Sequence, residues 1–349
     1  MNLNLERFSS VSLADPFFES LKADYAEFGD WFARKSSNEA YVFRGADGAV
    51  EGFLYLKIED GAVEDVHPKL PPARRLKVGT LKINPHGTRL GERFVKKLFD
   101  HAISEGVREA YVTVFPKHEA LISLLGRYGF VQCAEKVTRN GTELVLKKNM
   151  TDLSGDVARR YPLIKLGDNR AYLLSINPPW HTRLLPDSIL AREDASIVQD
   201  VSHSNSIHKV YLAGMRGMEV LRPGDVLLIY RTSDGKGPAH YRSVATSLCV
   251  VEEHRLIDSF RTRDEFIAYC RPYSVFNEDE LEDLWRTKRY PHLVRFTYNF
   301  ALPRRVTRAS LIETHGFDKD AYFGFMPIPA ERLRSVLEEA NFDASLIVD

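Results

Sequence analysis

Hydrophobic and polar positions follow two rhythms along this chain. Between residues 14 and 35, Phe17, Phe18, Leu21, Tyr25, Phe28, Trp31 and Phe32 recur at spacings of three and four. That period predicts a helix with an apolar face toward the core, substrate binding being the alternative use of that face. Residues 41–44 and 53–58 predict two antiparallel strands with Gly45-Ala46-Asp47-Gly48 as the turn between them. Pro68, Pro71 and Pro72 predict a loop over 67–75. A strand over 78–83, a turn over 84–91 and a helix from Glu92 follow. Then come a strand over 110–115 and a helix closing on Tyr128-Gly129-Phe130. A strand over 142–147 closes this first sheet.

The stretch 149–167 mixes Gly, Asp and Arg and predicts a linker with one turn of helix. A second domain begins near Asp168. Its pattern predicts a strand over 171–176, a turn at Asn177-Pro178-Pro179-Trp180-His181, and a strand over 226–230 after Pro223-Gly224-Asp225. A strand over 241–251, helices over 263–270 and 278–287, a strand over 294–300 and an amphipathic helix over 330–340 complete it. The expected class is α+β. A mixed sheet with flanking helices fills 1–148, and strands around a Pro-Gly-Asp turn over 168–349 imply a small β-barrel with inserted helices.

Bulk properties narrow the function less than the pattern does. At 349 residues the chain exceeds what one core usually serves, so two domains are expected. Lys+Arg and Asp+Glu balance at 48 each, so nucleic-acid binding would need a local patch. Cys133, Cys249 and Cys270 lie far apart, which excludes a disulfide framework and suits a reducing cytoplasm. The N-terminus has no signal-peptide pattern, and no stretch nears the ~18 apolar residues of a membrane span. No membrane partner is expected, and no metal.

Candidate chemistry centres on 78–130. A polar, glycine-bearing turn opening an amphipathic helix offers backbone N–H groups and the positive end of the helix dipole to a phosphate. A dinucleotide fingerprint fails, because the turn holds only Gly87 and Gly91; a Walker loop fails for want of Gly-Lys-Ser/Thr. Turn, helix, strand and Gly-Phe helix, in that order, resemble the acyl-CoA-binding core of the GNAT acetyltransferase superfamily over about residues 1–148. The Arg/Gln-x-x-Gly-x-Gly/Ala slots are filled here by His86, Gly87, Thr88, Arg89, Leu90 and Gly91. Residues 121–130, ending in Tyr128-Gly129-Phe130, match the later helix.

That resemblance implies acetyl-CoA as cofactor. Leu81, Lys82 and Ile83 would pair with its pantetheine arm, and the segment from His86 to Glu92 would surround the diphosphate. Transfer needs a neutral amine, a polarised carbonyl and a protonated leaving thiolate. The family's usual tyrosine slot holds Leu125, with Leu124 beside it. Catalytic candidates are therefore His118, Glu64 and Tyr128. His118 can carry a proton near neutrality or be a solvent-facing cap. Glu64, beside Asp65, is either a base or part of a solvated turn.

In the second domain, Ser175-Ile176-Asn177-Pro178 and residues 223–230 resemble the ASCH and PUA-like group of RNA-associated barrels. The group's Gly-x-Lys-x-x-Glu element is absent, which speaks against hydrolase activity. Cationic and aromatic residues adjoin at Trp180, His181 and Arg183; at Tyr230 and Arg231; at Tyr241 and Arg242; and at Arg271 and Tyr273. Arginine grips phosphate and aromatic rings stack on bases, so these are candidate RNA contacts; the alternative is arginine–carboxylate pairing on a charged surface. His203 and His208 with Ser202–Ser206 read as a mobile polar loop, a poor metal motif, the alternative being a lid that orders on substrate. As a whole the chain resembles bacterial proteins joining a GNAT domain to such a barrel. The expected function is acetyl transfer to an amine on RNA or an RNA-associated molecule. The alternatives are a non-catalytic acyl-CoA-sensing RNA-binding regulator and acetylation of a free small molecule.

Overall fold

The computed structural model describes residues 3–85, 87–190 and 200–349. The chain divides into two compact units, Met1–Asp152 and Leu153–Asp349. The first runs β1 (Leu3–Arg7), α1 (Glu19–Asp24), α2 (Phe28–Arg34), β2 (Glu39–Arg44), β3 (Val50–Val63), β4 (Leu70–Ile83), α3 (Leu90–Ser104), β5 (Glu109–Val114), α4 (Glu119–Arg127), β6 (Val131–Thr138) and β7 (Gly141–Asn149). Seven strands form one sheet in the order β1-β2-β3-β4-β5-β7-β6. Among the described residues of this unit, only β4 and β5 pair in parallel, because α3 carries the chain back across the sheet between them.

Two expectations over this unit change. The helix expected over 14–35 is broken. Pro16–Phe18 is a 3₁₀ turn capped by Asp15, whose Oδ1 accepts from Phe17 N at 2.9 Å, and the chain leaves α1 at Tyr25 in an extended conformation. A single helix presents one stripe inward, whereas here adjacent Phe17 and Phe18 are both buried, with Phe28 and Phe32, around Phe8 and Phe53. The loop expected over 67–75 is instead the start of β4. Pro68 precedes the strand, and Pro71 and Pro72 fall where the register with β3 slips, between Gly61/Ala73 and Val63/Leu70, so their missing N–H groups interrupt no ladder.

The second unit runs α5 (Val157–Arg160), β8 (Ile164–Lys165), β9 (Ala171–Ile176), α6 (Pro178–Leu184), α7 (Ser202–Asn205), β10 (His208–Ala213), β11 (Val226–Arg231), α8 (Ala239–Arg242), β12 (Val244–Leu256), α9 (Arg263–Cys270), α10 (Glu278–Thr287), β13 (His292–Thr307), α11 (Arg308–Glu313), β14 (Phe325–Ile328), α12 (Ala330–Glu339) and β15 (Ile347–Val348). Six strands form a mixed sheet in the order β10-β13-β12-β11-β9-β14; among the described residues no pairing joins β14 to β10. The sheet nevertheless curls. Three register slips bend β12 against β13, and Tyr211 of edge strand β10 donates to the Ser175 carbonyl of β9 at 3.3 Å. Tyr172, Leu174, Leu227, Ile229, Val210 and Phe296 meet in the core so formed.

The expected linker belongs largely to this unit. Tyr161 is buried and donates to the Tyr298 carbonyl at 3.1 Å, and Asn299 Nδ2 donates to the Pro162 carbonyl at 2.9 Å. The expected turn at 177–181 is the start of α6, because Pro178 and Pro179 suit a first helical turn that has no intrahelical use for their N–H groups. The expected polar loop is not one: Ser204, Asn205 and Ser206 are buried, and His208 sits on β10 against Glu252 at 2.8 Å. No helix among the described residues is long and apolar enough to cross a membrane.

A Cβ at Gly52 of β3 would lie 2.5 Å from Cζ of the fully buried Phe94 on α3. Gly52→Ala is expected to destabilise the protein by about 1–3 kcal/mol, read from urea denaturation, since the ring has no room to retreat. An unchanged midpoint would contradict this packing.

Candidate functional site

The pairing of β4 with β5 covers Leu76/Ala110, Lys77/Tyr111 and Val78/Val112 and ends there, although β4 continues to Ile83. Against β3, Val78 faces Leu56 and Thr80 faces Tyr55, so Gly79 is the extra residue of a bulge. A Cβ at Gly79 would lie 2.6 Å from the Tyr55 ring. The bulge bends β4 locally. A cleft of about 960 Å³ is lined by both strands past their last pairing.

One group of lining residues comes from β4 and the start of α3. Leu81, Lys82, Ile83, Gly87, Thr88, Arg89, Leu90 and Gly91 all line the cleft; His86 lies outside the described residues. The N-cap of α3 is Arg89, in the left-handed region at φ 57°, and its side chain makes no capping hydrogen bond. The positive end of a four-turn helix therefore opens on the cleft with no side-chain cap of its own. At Gly91 a Cβ would stand 2.9 Å from Leu124 Cδ2, so any larger residue would displace the Leu124 side chain. Glu92 is buried outside the lining, bound by Arg89 Nη1 at 3.0 Å and Arg127 Nη1 at 3.4 Å. Its role is to hold two guanidinium groups near the helix start. The Lys82 ammonium points elsewhere, to the Phe17 carbonyl and Ser20 Oγ, and burial lowers its pKa.

A second group comes from the α1–α2 connection and the β6–β7 hairpin. Tyr25 donates to Glu143 Oε1 at 2.6 Å, and burial first, then this bond, push the Tyr25 phenol above its ordinary range. Asp24 binds Lys117 and, through Oδ2, His118 Nε2 at 3.0 Å. Hydrogen bonds from Asn140 and Arg139 hold Glu27 down to about 2. This group offers a fixed carboxylate–imidazole pair and a phenol–carboxylate pair facing the same space.

Of the three catalytic candidates, only His118 lines the cleft, at the N-cap of α4. Glu64 does not: it is exposed and pairs with Lys69 at 2.5 Å, while its neighbour Asp65 pairs with Lys136 at 2.6 Å. Tyr128 does not either, because the helix ends there with the ring fully buried. Sequence reading missed Asp24, Tyr25 and Glu143. Tyr25 was absorbed into an apolar helical face. Glu143 stands two residues before buried Val145, at an inward position of β7, and a charge in that slot was the available signal.

The candidate RNA contacts divide by burial. His181, Tyr230 and Arg231 are buried and present no surface to a polynucleotide: β11 is covered on both faces, and His181 Nε2 lies 2.8 Å from Thr246 Oγ1. Arg242 is held by Asp234, and Arg271 pairs with Glu278 at 2.9 Å, which is carboxylate pairing. Trp180 packs on Phe276, Arg183 donates to the Val275 carbonyl at 2.7 Å, and Tyr273 lies under the Arg295 guanidinium. Tyr241 is exposed.

No known family profile and no curated protein matches the sequence. Among solved structures it is similar to a putative phosphinothricin N-acetyltransferase, at 15% identity over 43% of this chain and 100% of that one, with a TM-score of 0.32. The NatC complex bound to Gag peptide and CoA matches at 15% identity over 43% of this chain and 99% of that chain, TM-score 0.29. A mutant ZmASCH protein from Zymomonas mobilis matches at 9% identity over 49% of this chain and 97% of that one, TM-score 0.31. These likenesses are weak.

Burial, then the Arg231 and Arg305 charges, push His181 down to about 3; burial, then Lys209 and Arg183, bring His203 to about 3 as well. Unfolded histidine titrates near 6.5, so below that pH the unfolded chain takes up protons that the folded one refuses. Stability contributed by these neutral rings is full above about pH 6.5 and is lost as pH falls toward 3. Between pH 6 and 5 the second unit is expected to lose up to about 1.4 kcal/mol per pH unit for each histidine. His181→Gln should flatten that slope in urea titrations; an unaltered slope would contradict the burial of a neutral ring.

Proposed function

We propose that the first unit is an acyl-CoA-dependent N-acyltransferase, with acetyl-CoA as donor, acting on an amine of RNA or of an RNA-associated molecule. The observation that carries the reading is the opening of β4 from β5 beside the uncapped start of α3. An extended arm can pair with the backbone of residues 79–83 as a strand would, while a diphosphate meets the Leu90 and Gly91 N–H groups and the positive charge of Arg89 and Arg127. Bound there, acetyl-CoA would supply the activated thioester. The chain's own work is to place the amine, exclude water and handle protons. His118, oriented by Asp24, is the group that gives a proton to the leaving side. Leu21, Phe28 and Leu124 supply apolar wall to the cleft. Recruitment of RNA falls to the second unit, through Tyr241, Trp180 and Arg183 rather than the buried members of the original set.

A second reading, an acyl-CoA-sensing regulator without turnover, draws on Leu125: it is buried in α4 where the resembled family has tyrosine, leaving His118 as the proton carrier in the cleft. Labelled acetyl-CoA incubated with the protein and total cellular RNA separates the two. The proposal expects label in RNA and, for His118→Ala, turnover lowered about 100-fold. Label in protein or small amines alone would remove the RNA clause, and no transfer at saturating acetyl-CoA would leave the sensor.

A further inference from the structure

Glu143 is 3% exposed yet lines the cleft, and among the described residues no cation pairs with it. Its one bonded neighbour there is the Tyr25 hydroxyl. The cations around it are engaged elsewhere. Lys136, directly across the β6–β7 ladder, reaches to Asp65 at 2.6 Å. Lys117 is bound by Asp24, and Arg139 by Glu27 at 2.9 Å. A buried carboxylate with no cation of its own favours a positively charged partner. Here the open side of the carboxylate is the cleft itself. Three aromatic residues, Tyr25, Phe28 and Trp31, line the same space. Aromatic side chains in the same cleft as a carboxylate favour a cation with an apolar stem, through burial of the stem and attraction to the rings.

We infer that Glu143, oriented by Tyr25, with Tyr25, Phe28 and Trp31 lining the same cleft, forms a binding site for an alkylammonium group, and that the acceptor of the transfer proposed above carries such a group in addition to the neutral amine that is acylated. The second clause rests on the acyltransferase reading; the binding site does not. Tyr25 fills one lone-pair direction of the carboxylate, so an ammonium approaching from the cleft meets the remaining ones. Asp24 and Glu27 add negative potential to this wall, and their own cations limit how far they compete for the ligand.

The test is calorimetric titration of the full chain with 1,5-diaminopentane, with 1,5-pentanediol as the neutral compound of the same reach. Wild type should bind the diamine and not the diol. Glu143→Gln, which keeps shape and the hydrogen bond from Tyr25, should weaken diamine binding at least tenfold; Tyr25→Phe, which keeps the charge, should weaken it less. Thermal unfolding within a few degrees of wild type shows that each variant is folded. Equal diamine binding by wild type and Glu143→Gln, or binding by neither, overturns the site. Parallel titration with acetyl-CoA separates the two ideas. Diamine binding that depends on Glu143 with no uptake of acetyl-CoA keeps the ammonium site and sinks the acyltransferase reading. Acetyl-CoA uptake without diamine binding does the reverse.

Discussion

One extra residue in one strand governs the first unit. Gly79 interrupts the register between β3 and β4, lies flush against the Tyr55 ring, and marks the point past which β4 no longer pairs with β5. A continuous ladder would seal the sheet there. Because pairing ends, backbone of residues 79–83 is left to line a cleft instead of a core, and α3 begins beside it. The aromatic cluster of Phe8, Phe17, Phe18, Phe32 and Phe53 holds β3 and the N-terminal segment rigid behind this opening. The bulge is thus backed by a buried aromatic cluster.

Charge is distributed around the cleft with a division of labour. On the β4–α3 side, Glu92 holds both Arg89 and Arg127 near the helix start. On the α1–α2 and β6–β7 side, Asp24 is paired with Lys117 and Glu27 with Arg139, while Glu143 pairs with no cation among the described residues. A donor carrying phosphates and an acceptor carrying an ammonium would be sorted to opposite walls by this arrangement before any specific contact forms. His118 stands between the two functions, tied to Asp24.

Much of this was legible in the sequence where local signals agree. The strand over residues 171–176 and the helices over 263–270 and 278–287 match Ala171–Ile176, Arg263–Cys270 and Glu278–Thr287, because strong caps such as Thr262 and Asn277 mark their ends. The helix after the Gly87 turn begins at Leu90, two residues before the expected Glu92, and the later helix runs Glu119–Arg127 just before Tyr128-Gly129-Phe130. Signals failed where tertiary packing overrode them. The bulge opposite Pro71 and Pro72 let a strand run through prolines, and burial on both faces of β11 turned Tyr230 and Arg231 from surface candidates into core residues. The pairing of Tyr25 with Glu143 spans 118 residues of sequence, and no local pattern could bring those two together.

The account stands or falls on what enters the gap between β4 and β5. Hydrogen exchange of the full chain with and without CoA tests it most directly. Slowed exchange confined to residues 79–83 and to Leu90 and Gly91 is the predicted result, since a pantetheine arm would complete the strand and a diphosphate would occupy the helix start. Exchange in those amides that is indifferent to saturating CoA would contradict it.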